Sequence, residues 1–269
     1  DGGSIFFFFL TGTVPIPVTI SSDAPAQGNG GLISINTATA TLNSQAAVSA
    51  SALTNGEAGQ VRINTTTAMT LTAATNISAT RSGISTPSTQ DNISLNSQGT
   101  LAIKGTSVLN ASAIGAQPGA GGHISATANG ITIQGQSNSL RADGMGSGEA
   151  GRIVLQDSSS STTPLVIGST TGTPITLSAA GGTNKGKGGE LRIETSARPL
   201  RIANATAMLV TAGTDGDGGS IFLKSFGMEL GQNNTFKVDG NGSGHGGFLH
   251  IDDNSTNTTP LTLGNAANN

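Results

Sequence analysis

The chain of 269 residues carries 40 Gly, 9 Pro, no Cys, no Trp and no Tyr, with 12 basic and 15 acidic side chains for a net charge of −3. The cysteine count excludes a disulfide scaffold, a thiolate metal site and a cysteine nucleophile, and without a Gly-x-y triplet the glycine excess is not collagen. Low net charge argues against disorder, and the lack of a Lys/Arg cluster argues against nucleic acid or an anionic membrane as partner.

The first element is the apolar run 5–10, six residues long. It is too short to span a bilayer and lacks the basic flank and cleavage site of a signal peptide. It opens a signature, Gly-x-hydrophobic-x-hydrophobic, that recurs along the whole chain. The copies begin at Gly3, Gly31, Gly59, Asp91 (an acidic residue in the anchor place), Gly122, Gly151, Gly189, Gly219 and Gly247. Their spacings are 28, 28, 32, 31, 29, 38, 30 and 28 residues.

Two further short alternations of apolar with polar residues follow each anchor, the pattern of strands with one buried face. The second strand is predicted to point Met69/Leu71, Leu101/Ile103, Ile131/Ile133, Leu165/Ile167, Leu200/Ile202, Met228/Leu230 and Leu261/Leu263 inward. The third places a larger residue before a smaller one, at Val48/Ala50, Ile77/Ala79, Leu109/Ala111, Leu140/Ala142, Leu177/Ala179, Val210/Ala212 and Phe236/Val238. A glycine-rich loop then leads to the next anchor.

Three short strands, two bends and a glycine loop per ~30 residues describe a coil of an all-β solenoid, a parallel β-helix of about nine coils spanning 1–269. A β-propeller would need longer blades, and a leucine-rich repeat needs a helical segment that no stretch supplies. A block of Asp143-Gly-Met-Gly-Ser-Gly148 recurs as Asp239-Gly-Asn-Gly-Ser-Gly244, 96 residues later, as if coils were duplicated in threes. The first and last residues both fall in mid-repeat with no polar cap, so the chain is expected to be part of a longer one or a subunit of an end-to-end assembly.

The run of third strand, glycine loop and anchor, as in Val108-Leu-Asn-Ala-Ser112 before Gly119-Ala-Gly-Gly122, or Gly28-Asn-Gly-Gly-Leu-Ile-Ser-Ile35, resembles the repeats of filamentous-haemagglutinin-like exoproteins. These are large proteins of Gram-negative bacteria and cyanobacteria, often exported by two-partner secretion. The resemblance covers essentially the entire chain, although no amino-terminal secretion domain is visible. It implies a right-handed parallel β-helix at the outer cell surface or outside the cell, with roles in adhesion, aggregation or matrix formation. Absence of cysteine suits export in an unfolded state.

The glycine loops hold the residues that could carry chemistry. A glycosidase needs two carboxylates about 5–9 Å apart, and Asp215, Asp217, Asp239, Asp143 and Glu149 are the acids available. Their expected role is that of solvated turn residues, so no catalytic residue and no cofactor are assigned. Asp215, Asp217 and Asp239 are weak calcium candidates, because Asp215-Gly-Asp-Gly-Gly219 imitates only part of the nine-residue calcium repeat. His123, His245 and His250 do not occupy equivalent places, which disfavours a zinc cluster. A threonine ice-binding face is broken by Arg201 and Glu229 in the outward row of the second strand. The Asn-x-Ser/Thr triplets are as many as so Ser/Thr/Asn-rich a chain yields by chance.

Phe6 and Phe8 are predicted to face outward if Ile5 and Phe7 face the core, and Phe222 takes an equivalent outward place in a distant coil. Exposed aromatics on a polar rod suggest a contact between chains. The alternative is cover by the Pro-rich loop 14–18. The sequence therefore predicts a structural or adhesive surface fibre or adhesin stalk, with itself or host and cell-surface glycans as partners. The other reading is a β-helical polysaccharide-degrading enzyme or a tailspike-like glycan-binding protein.

Overall fold

The computed structural model describes residues 1–9, 18–25, 27–43, 45–72, 74–83, 90, 92–115, 117–169, 174–255 and 262–263. Among these residues there is no helix, and every named strand pairs in parallel with its counterpart one repeat away. The chain is a β-solenoid of about eight turns. Its first strands stack in the order Ser4–Phe9, Leu32–Leu42, Gln60–Leu71, Ile93–Ser97, His123–Ala128, Arg152–Asp157, Glu190–Thr195, Ser220–Ser225 and Phe248–Asp253. The third strands form a separate sheet of eight, from Thr19–Ser21 to Thr235–Lys237. The fourth anchor, Asp91, lies outside the described residues, as do Leu261 and residues 14–17 of the Pro-rich loop.

Three separate strands per coil is not uniform along the rod. In the second and third coils the first and second strands merge into Leu32–Leu42 and Gln60–Leu71, with a register shift between Thr37 and Thr39. Thr-rich backbone there has nothing to break it. Later coils bend sharply at Gly99, Gly130, Pro164, Pro199 and Gly227, and the strand divides. Gly130 and Gly227 adopt φ of 124° and 113°, values open to glycine and strained for other residues.

Core columns follow the predicted alternation. Ile33, Val61, Ile93, Ile124, Ile153, Leu191 and Ile221 stack along the first strand, and the predicted second-strand pairs fall in register from Met69/Leu71 through Met228/Leu230. Each fully buried aliphatic side chain contributes about 1.5–3 kcal/mol, so stability is spread over the length of the rod. One assignment is corrected. In the seventh coil the third-strand pair is Met208/Val210 and not Val210/Ala212, since Met208 pairs with Leu177 and is fully buried while Ala212 is half-buried. Met208, Val210 and Ala212 all obey the two-residue alternation, and the large-then-small rule selected a frame two residues late. Phe236 pairs with Met208, as the neighbouring coil required.

Where the anchor is glycine, its N–H closes the coil. The N–H groups of Gly59, Gly151, Gly189 and Gly219 donate to the carbonyls of Ala50, Ala142, Ala179 and Val210, the last inward residues of the third strand. At Gly59 the backbone approach requires glycine, because a Cβ there would stand 2.0 Å from the carbonyl oxygen of Gly31 in the coil before.

Both bends are lined on the inside by polar side chains. Thr65, Ser97, Asp157, Thr195 and Ser225 occupy the first corner, and Ser97 and Ser225 donate to the carbonyls of Thr100 and Gly227. At the second corner Thr75, Ser107, Asn138, Thr206 and Asn234 face inward. Asn138 accepts from the Ser107 N–H at 2.9 Å and donates to the Gln134 carbonyl at 3.0 Å. Backbone that leaves the ladder at a bend is thereby satisfied from within.

Candidate functional site

The loop carboxylates act on the neighbouring coil. Asp215, held at φ 58°, accepts the Ser243 N–H at 2.9 Å, and Asp217 accepts the His245 N–H at 2.9 Å. Asp143 receives the Ala180 N–H at 2.9 Å and the Ser178 hydroxyl at 2.5 Å, and Asp23 receives the Ser51 N–H at 2.6 Å. Asp239 contributes its backbone carbonyl to the Ala212 N–H. The carboxylates of Asp23, Asp143, Asp215 and Asp217 thus bond the neighbouring coil where the strands diverge, whereas Asp239 and Glu149 take part through their backbone carbonyls. Among the described residues, no group of three or more His, Cys, Asp or Glu side chains converges to hold a metal ion.

Asp217 is held below its ordinary value of 3.8, first by the His245 backbone N–H and then by the His245 ring and Lys187. A depressed carboxylate stabilises the fold fully above its unfolded pKa, and that contribution is lost as pH falls through the folded value. An NMR titration of the Asp217 carboxyl is expected to give a midpoint under 3.8 that rises toward it in His245→Ala. The backbone bond survives that change, so the rise is partial. A midpoint at or above 3.8 in the unsubstituted chain would contradict the geometry.

Phe6 and Phe8 stand outward, 56% and 75% exposed, in register with Ser34 and Asn36 of the next coil. Phe222 is half-buried. Its ring meets Phe248 edge-on at 5.1 Å, lies 6.0 Å from the His250 ring and sits beneath the Arg192 guanidinium at 5.2 Å. Salt bridges join Arg152 to Glu190 and Arg192 to Glu194 on the same face. Apart from Arg62, the charged residues of that face begin with Arg152 in the sixth coil, and its aromatics lie at the two ends, Phe6 and Phe8 in the first coil and Phe222 and Phe248 in the eighth and ninth.

Outward residues of the second strand stack as Thr70, Ala102, Thr132, Val166, Arg201 and Glu229, with Arg201 and Glu229 paired at 3.2 Å. His123, His245 and His250 lie in separate coils.

Two grooves lie along the outer corner between first and second strands. One, of about 490 Å³, is lined by Phe8, Asn36, Asn64, Asn96 and Gln98, together with threonines. The other, of about 520 Å³, is lined by Thr127, Gln156, Ser158, Glu194, Ser196, Lys224, Phe226 and Asn254, among others. Asn96 pairs with Thr127 and Thr127 with Gln156, so the grooves abut on one line. The Asn64 amide donates to Asn36 at 2.8 Å. Period-two alternation identifies these residues as outward but says nothing of the concavity, which comes from the bend.

Behind the second groove lies a buried ion pair that no sequence pattern announces. Asp157 and Arg198 meet at 2.7 Å with side chains 0% and 6% exposed. Asp157 also accepts from the Ile131 and Ser159 N–H groups, and Arg198 donates to the carbonyls of Thr163 and Pro164. The pair pins the loop 158–164 in the longest repeat.

No helix among the described residues is long and apolar enough to cross a membrane. Comparison with known protein families, curated proteins and solved structures finds no match to the chain.

Proposed function

We propose that this chain is a rod-forming scaffold of an extracellular or outer-surface fibre or adhesin stalk, a filamentous-haemagglutinin-like structural protein and not an enzyme. The observation that carries the proposal is how the loop acids are used. Asp215, Asp217 and Asp143 each accept backbone N–H groups from the next coil, a role that joins coils and leaves those oxygens committed to structure. Stability distributed along successive coils suits a part that spans distance and bears tension. Lack of cysteine is compatible with export before folding.

The test is direct imaging with a cleavage assay. Electron microscopy of the purified chain should show rods with an axial spacing of ~4.8 Å, as concentration-dependent filaments for a fibre or as stable monomers for a stalk. Incubation with a broad panel of polysaccharides should release no reducing ends. Cleavage lost on Asp215→Asn or Asp239→Asn substitution would favour the enzyme reading and defeat this one.

A further inference from the structure

We propose that the corner groove is a binding track for a linear, uncharged polysaccharide lying parallel to the solenoid axis. The inference rests on the adhesive reading above and gives it a place and a ligand class. From Phe8 to Lys224 the outward row takes one residue from each of eight successive coils, about 34 Å at ~4.8 Å per step. A track of that length fits an extended chain ligand and not a compact one.

The lining decides the chemistry. Asn36, Asn64, Asn96, Thr127 and Gln156 succeed one another along the floor, and amides and hydroxyls both donate and accept, as sugar hydroxyls require. Phe8 stands 75% exposed at one end and Phe226 39% at the other. An aromatic face in such a setting packs on the C–H face of a sugar ring.

Net charge is absent from the track. The first groove has no charged lining residue. In the second, Asp157 is held by Arg198, Glu194 bonds Arg192 at 2.7 Å, and Lys224 faces Asp252 at 3.9 Å. A polyanion would meet no free cation here, and a polycation no free anion.

The experiment is calorimetric titration of the whole chain with hexasaccharides of β-1,4-linked glucose, xylose and mannose, beside oligogalacturonate and heparin oligosaccharides, at low and high salt. At least one neutral chain should bind with an affinity insensitive to salt, and the acidic chains should bind no better. Phe8→Ala should weaken that binding about tenfold, the loss of one aromatic anchor, and Asn96→Ala should weaken it less. Both side chains are exposed, so the melting temperature should not move, and an unchanged melt confirms that the fold is intact.

Neutral-chain binding that persists unchanged in both variants overturns the track while leaving glycan adhesion in place elsewhere on the rod. Salt-sensitive preference for an acidic chain also overturns it. No binding by any member of the panel removes the track and the glycan-adhesive half of the functional reading together, leaving the fibre role to the imaging test.

Discussion

Gly151→Val is expected to disrupt the middle of the solenoid, at a cost of about 3 kcal/mol or more. A Cβ at this position would stand 1.7 Å from the carbonyl oxygen of Gly122, with Gly121 and Gly122 carbonyl carbons at 2.7 Å. All three atoms are backbone of the coil before, which cannot yield as a side-chain tip would. Moving Gly151 outward breaks its own bond to the Ala142 carbonyl, made at 2.7 Å, and opens the loop that closes the coil. Strand pairing on both sides depends on that closure. Asn96→Val is the control, because it places the same side chain at an exposed outward strand position. It should therefore change stability by no more than ~0.5 kcal/mol. Urea melts of the two variants check the contrast, and equal shifts would show that close approach does not set the anchor glycine.

Arg198→Met should cost about 3–5 kcal/mol, because it strands the buried carboxylate of Asp157 without its cation. The carboxylate keeps the Ile131 and Ser159 N–H groups at 2.6 and 2.8 Å. Those bonds do not neutralise it, and the carbonyls of Thr163 and Pro164 lose their donor in the same step. Pairing the change with Asp157→Asn removes the charge while retaining an acceptor, so the double variant should recover part of the loss. A coupling energy of about 2 kcal/mol is expected from the cycle. Denaturation at neutral pH measures it, and a single-variant cost under ~1 kcal/mol would mean that the site admits water and the pair is effectively exposed.

The two sites differ in how far the chain announces them. Anchor glycines recur at near-constant spacing beside an apolar alternation, and both signals are local, so the solenoid architecture, strand order and most inward columns are legible from one-dimensional pattern. Val210/Ala212 shows the limit of that pattern. Alternation repeats every two residues, so a frame two residues away satisfies it equally, and the register was decided by pairing of Met208 with Leu177 across coils.

Merged strands in the second and third coils were equally invisible, since a bend without Gly or Pro leaves no mark in composition. Asp157 and Arg198 lie 41 residues apart, and no repeat-length rule connects a residue of one corner to a loop in the next coil. A glycine-rich setting marks the loop acids as lying between strands and suggests local turn bonds. Their partners, one coil onward, needed coordinates.

By itself, then, the sequence determined the architecture: periodic glycine and period-two alternation permit one economical closure of the chain, a stack of parallel coils with an aliphatic interior. Tertiary structure alone decided what the surface offers. Stacking brings residues a full repeat apart in sequence to one strand spacing in space, and this turned scattered asparagines into a ladder, isolated aspartates into inter-coil caps, and the bend between first and second strands into two abutting grooves. Such features depend on register and curvature, which are properties of the assembled coils and not of any segment within them.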